Sequence, residues 1–171
     1  MSKSILTNKR ILAVDDEPDV LESLEELLEG FEGLILDKAY NYDDGYHLLR
    51  SWSYDAVILD IMGVRGFDLL NAAVSLGFPS IMLTAHALSI ENLKKSIQMG
   101  ARAFLPKEKM VEIVPFLEDV LGLEYHSAWR RSFERLKSVF KSSFGEDWHK
   151  NEKIFLQEIT SGQYDPTILR K

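Results

Sequence analysis

Five short apolar runs punctuate the first two-thirds of the chain: Ile11–Val14, Leu34–Leu36, Ala56–Leu59, Ser80–Leu83 and Ala103–Leu105. Each is too short for a helix and carries little polar alternation, which is the pattern of a strand buried on both faces. Amphipathic stretches of helical length follow them: Pro18–Glu29, Asp43–Trp52, Phe67–Leu76, Ser89–Met99 and Met110–Leu121. In the first of these, Leu21, Leu24, Leu27 and Leu28 form one face, and Glu22, Glu25, Glu26 and Glu29 form the other. Pro18 suits the first helical position and Gly30 the stop. Strand and helix alternating five times in about 120 residues predict an α/β fold with a doubly wound, five-stranded parallel sheet.

Beyond Gly122 the periodicity changes. Tyr125, Trp129, Phe133, Leu136 and Phe140 make one stripe, predicting a single helix that ends near Gly145. Asn151–Ile159 repeats the pattern with Ile154, Phe155 and Ile159. The charge shifts at the same place. Residues 1–121 hold 11 basic and 20 acidic side chains, whereas residues 122–171 hold 9 and 7. The chain therefore divides into residues 1–121 and a helical extension, 122–171, read as a helical hairpin or a docking helix with a tail.

Composition narrows the function classes. There is no cysteine, so thiolate metal sites and cysteine nucleophiles are excluded. The net charge of −7 argues against wholesale electrostatic binding to nucleic acid or anionic lipid. Arg130, Arg131, Arg135, Lys137 and Lys141 cluster in the extension, but only two helices are evident there, and no DNA partner is expected. The N-terminal segment is too polar for a signal peptide, and no apolar run approaches a membrane span. The expectation is a cytoplasmic protein with no membrane insertion.

Ligands of an open parallel sheet bind outside the carboxyl ends of its strands. The first run leads to Asp15, Asp16 and Glu17, the third to Asp60, the fourth to Thr84 and the fifth to Lys107. A flavodoxin-like strand order, 2-1-3-4-5, makes the first and third strands neighbours and brings Asp15, Asp16 and Asp60 into one pocket. Three close carboxylates repel one another unless a cation neutralises them, and oxygen-only ligands suit Mg²⁺. A hydroxyl at Thr84 and an ammonium at Lys107 suit phosphate oxygens. Together these groups describe phosphoryl transfer to an aspartate.

At these residues the chain resembles the receiver domain of two-component response regulators. VDDEP at 14–18, ILD at 58–60, MLTA at 82–85 and AFLPK at 103–107 carry the resemblance, which covers roughly residues 8–121. It implies that Asp60 is the phosphoacceptor and that Asp15, Asp16, Asp60 and the backbone carbonyl of Met62 hold Mg²⁺. Thr84 and Lys107 would bind the phosphoryl oxygens, and Thr84 and Phe104 would form the switch. Met62 and His86 occupy positions that tune the lifetime of the phosphoryl group. The implied partners are a histidine kinase or a histidine phosphotransfer protein. The implied output is a downstream protein, or a second copy, reached through the last strand, its flanking helices and the extension. Such a protein signals and is no enzyme beyond self-catalysed phosphoryl transfer and hydrolysis.

Two features depart from the family pattern. A proline usually stands four residues after the phosphoacceptor and a glycine eight after; here Val64 takes the first position and Gly66 comes only six after. The lysine is commonly followed by proline, but Glu108 follows Lys107, so a trans peptide is expected. The alternative reading is a pseudo-receiver that is never phosphorylated and serves as a protein-interaction module. An aspartyl phosphohydrolase is disfavoured because Met62 stands where such enzymes place a second aspartate. No Gly-rich phosphate loop supports a nucleotide hydrolase.

Overall fold

The computed structural model describes residues 4–85 and 89–166. The five strands are β1 (Arg10–Val14), β2 (Ile35–Ala39), β3 (Ala56–Asp60), β4 (Ser80–Thr84) and β5 (Ala103–Pro106). They form one parallel sheet in the order β2-β1-β3-β4-β5. Helices α1 (Pro18–Leu28), α2 (Tyr42–Ser51), α3 (Gly66–Ser75), α4 (Ile90–Gln98) and α5 (Ile113–Gly122) connect and follow the strands. This is the expected flavodoxin-like arrangement. β3, β4 and β5 are buried throughout, as continuous apolar runs require.

Three expectations are corrected. The second strand lies at Ile35–Ala39 rather than Leu34–Leu36, and it is not buried on both faces. It is an edge strand carrying Asp37 and Lys38, and Ile35 is 48% exposed. The last helix of the sheet unit does not begin at Met110: Lys107–Glu112 forms a 3₁₀ turn, and α5 starts at Ile113. The aromatic stripe is not one helix. It is split into α6 (Tyr125–Arg135) and α7 (Lys137–Phe144), followed by α8 (Trp148–Thr160). The break sits at buried Leu136, which leaves helical geometry at φ −103°, ψ 10°. The stripe stays in phase across it, so periodicity carries no sign of the bend.

The extension is packed against the sheet unit, and the buried residues of both form one hydrophobic cluster. Tyr125 and Trp129 on α6 are fully buried and must pair their polar atoms. The Tyr125 hydroxyl donates to the Ile97 carbonyl at 2.6 Å, and Trp129 Nε1 donates to the Ala101 carbonyl at 2.7 Å. Both acceptors flank the turn from α4 into β5. On α7 and α8, Phe140, Phe144, Trp148 and Phe155 continue the aromatic cluster. Arg135 ties α6 to α5 through a two-pronged contact with Asp119, at 2.6 and 3.3 Å. Arg102, just before β5, donates to the Val120 and Leu123 carbonyls and so caps the end of α5. β5 is an edge strand by pairing, yet this cover leaves it buried.

Candidate functional site

The site is built by strand register. β1 and β3 pair with Val14 opposite Leu59, so the residues that follow, Asp15 and Asp60, leave the sheet side by side. One carboxylate oxygen from each of Asp15, Asp16 and Asp60 lies within 4.8 Å of the others. Asp15 is fully buried and Asp60 is 2% exposed, whereas Asp16 is exposed. The Glu17 N–H donates to Asp15 Oδ1 at 2.8 Å, which fixes that carboxylate at the entry to α1.

Lys107 reaches into the pocket from the end of β5. Its Nζ lies 2.8 Å from Asp15 Oδ2, 3.2 Å from Asp60 Oδ1 and 3.2 Å from Glu17 Oε1. Asp15 Oδ2 and Asp60 Oδ1 are buried without a hydrogen-bond partner, so their contacts with the ammonium are ion pairs lacking hydrogen-bond alignment. Glu17 is the residue that sequence reasoning left out of the site. Its signal is the third acid of the run Asp15-Asp16-Glu17 that follows the first strand.

The electrostatics follow from this crowding. Burial pushes Asp60 up to about 6, the Asp15 charge adds to the rise, and Lys107 opposes it. Asp15 is raised by burial against the pull of Lys107 and the Glu17 N–H. Burial alone would lower Lys107, but its close ion pairing with Asp15, helped by Asp60 and Glu17, raises it to about 12. One ammonium thus contacts three carboxylates, with Asp16 beside them, and one oxygen each of Asp15 and Asp60 is buried without a hydrogen bond. That donor set fits a hard divalent cation such as Mg²⁺, which takes a few carboxylates and keeps its waters.

The remaining residues fall around this centre. Thr84 closes β4 at 7% exposed, one strand over from Asp60. Phe104 is fully buried on β5 opposite Met82, two residues before the Thr84–Pro106 pair. Met62 is 71% exposed in the loop after Asp60. His86 lies outside the described residues. Val64, where the family pattern has proline, is buried. The Lys107–Glu108 peptide is trans, since no described peptide bond is cis.

Comparison with known proteins agrees with this geometry. A family model described as response regulator receiver domain matches residues 11–116. The transcriptional regulatory protein CusR of Escherichia coli (strain K12) is 36% identical over 102 residues, covering 57% of this chain and 44% of CusR. The probable transcriptional regulatory protein SilR of Salmonella typhimurium is 38% identical over 104 residues, with the same two shares. The matched segment therefore spans less than half the length of these two regulators. Both are named as transcriptional regulators, so the expectation of no DNA partner finds no support in them. Among solved structures, the CheY-like response regulator receiver domain protein from Methanospirillum hungatei JF-1 is 30% identical. It covers 64% of this chain and 96% of its own, with a TM-score of 0.53.

Proposed function

Because the chain belongs to the response regulator receiver domain family, we propose that it is a phosphorelay switch in which Asp60 accepts a phosphoryl group from a phosphohistidine donor. Receiver domains of this family are signalling modules of two-component systems and interact with histidine kinases. The observation that carries the reading is the placement of Asp60. It is buried at a strand end, 3.2 Å from Lys107 and within 4.8 Å of the Asp15 and Asp16 carboxylates.

An Asp60 carboxylate oxygen attacks phosphorus, the P–N bond of the donor breaks, and its electron pair returns to the imidazole nitrogen, which takes up a proton. Asp15, Asp16, Asp60 and the Met62 carbonyl would hold Mg²⁺, which when bound would supply positive charge against the carboxylates and the incoming phosphoryl oxygens. Lys107, released from its pairing with Asp60, moves its charge to a phosphoryl oxygen, and the Thr84 hydroxyl donates to another. Water later hydrolyses the acyl phosphate, with Met62 and His86 tuning access. Phe104 answers the movement of Thr84. The altered surface of β5, its flanking helices and the extension then changes a contact with a downstream protein or a second copy. A cytoplasmic location accords with this chemistry. Among the described residues, no helix is long and apolar enough to cross a membrane.

The shortened loop after Asp60 favours one rival, a receiver that is never phosphorylated and acts as an interaction module. Intact-mass measurement after incubation with acetyl phosphate, with and without Mg²⁺, separates the two. The switch predicts a single Mg²⁺-dependent phosphoryl adduct that disappears in Asp60→Asn. A folded chain that takes no adduct from acetyl phosphate or from a histidine kinase, and binds no Mg²⁺, would leave the rival standing.

A further inference from the structure

The loop between Asp60 and α3 contains only residues 61–65, and its path is unusually constrained. Ile61 and Val64 turn into the core, while Met62 points out. Gly63 is left-handed at φ +86°, and a Cβ there would lie 2.5 to 2.7 Å from the Asp16 carboxylate. The loop therefore runs directly over one of the three acidic groups. At Gly66 a Cβ would lie 2.1 Å from the Asp60 carbonyl oxygen, so the start of α3 is pressed against the phosphoacceptor's own backbone. The loop thus lies against the Asp16 carboxylate at one end and the Asp60 backbone at the other.

Between these glycines stands Arg65, also left-handed, at φ +54°. Glycine would adopt that conformation without the steric penalty a side chain incurs, so the arginine must be held there by its contacts. Its carbonyl accepts the Asp68 and Leu69 N–H groups that open α3, at 3.0 and 3.1 Å. Its Nε donates to Asp68 Oδ2 at 2.9 Å. Its guanidinium lies 4.1 Å from the centre of the Tyr42 ring at the start of α2. The stack continues along the surface of α2. Tyr42 and Tyr46 are stacked at 5.7 Å and 15°, and Arg50 donates to the Tyr46 hydroxyl at 2.9 Å. A planar guanidinium can stack and hydrogen-bond at once, which an ammonium cannot reproduce.

We infer that Arg65 is a positioning residue for the cation and phosphoryl site, clamping the short Asp60–α3 loop to the Tyr42–Tyr46 stack so that its backbone stays seated over Asp16. The inference rests on the reading of the acidic pocket as a Mg²⁺ site. Arg65 and Asp68 are themselves largely exposed, so the clamp contributes little to global stability and acts on the loop.

Two variants of the full chain separate loop positioning from folding. Arg65→Gly keeps the left-handed turn and removes the guanidinium; Tyr42→Leu removes the ring and leaves Arg65 in place. Calorimetric titration with MgCl₂, without any phosphodonor, should show each variant binding about tenfold more weakly than the wild type, as when a metal ligand's supporting contact is lost. The double variant should lose no more than either single one, because both remove the same contact. Thermal unfolding in EDTA should remain close to wild type for both. Wild-type affinity in both variants, or losses that add in the double variant, would overturn the clamp alone. Failure of the wild type to bind Mg²⁺ would overturn the clamp together with the reading it rests on.

Discussion

Two buried regions of this chain treat their polar atoms in opposite ways. Where α6 covers β5, both large aromatic donors are paired: the Tyr125 hydroxyl with the Ile97 carbonyl and Trp129 Nε1 with the Ala101 carbonyl. At the carboxyl end of the sheet, by contrast, Asp15 Oδ2 and Asp60 Oδ1 are buried with no hydrogen bond, and both carboxyls are driven above their ordinary range. A polar group buried and satisfied is a packing device; one buried and left short of partners stores unfavourable energy that a ligand can release. The contrast holds between these two places and not across the whole cluster, since Trp148 Nε1 on α8 is also buried without a hydrogen-bond partner.

That contrast can be broken most forcefully at Trp129. Trp129→Ala empties a fully buried indole site and leaves the Ala101 carbonyl without this donor, so chemical denaturation should show a loss of about 3–5 kcal/mol. A cost under about 1 kcal/mol would mean that the extension is not docked as described. The pocket should answer with the opposite sign. Asp60→Asn removes a charge held in an unfavourable place, and in EDTA at neutral pH it should stabilise the chain by on the order of 1–3 kcal/mol.

The pH dependence sharpens that prediction. Asp60 is raised from 3.8 to about 6, so the folded chain holds this proton more tightly than the unfolded one. The resulting stabilisation is complete below about pH 3.8 and is gone once the pH passes about 6. The advantage of Asp60→Asn over the wild type should therefore widen across that interval and then level off, read from denaturation midpoints in EDTA. Mg²⁺ should stabilise the wild type and narrow the gap.

A smaller effect is expected at the satisfied contact. Tyr125→Phe deletes one hydroxyl, while the Ile97 carbonyl keeps the Gly100 N–H as a donor. The loss should be about 0.5–1.5 kcal/mol, with Mg²⁺ affinity unchanged. An altered Mg²⁺ affinity in this variant would show that the two regions are energetically coupled.

The placement of Asp15, Asp16, Asp60, Thr84 and Lys107 at one end of the sheet was legible in the sequence because each follows an apolar run, and a parallel sheet gathers its carboxyl ends. The errors lie where local pattern and tertiary surroundings part. Leu34–Leu36 reads as a buried strand, but an edge position lets β2 run on through Asp37 and Lys38. The stripe from Tyr125 to Phe140 reads as one helix because the bend at Leu136 preserves its phase.

Periodicity in the sequence thus determined which faces are buried and which residues stand at strand ends, since both are set by the local repeat of strand and helix. Only the tertiary structure decided what covers those faces. It set α6 on β5, with Tyr125 and Trp129 reaching acceptors 28 residues earlier, and it brought Glu17 to Lys107 across 90 residues. It also laid Arg65 on Tyr42 from the neighbouring helix. Such pairings depend on the shape of two distant surfaces at once, and no local repeat encodes both.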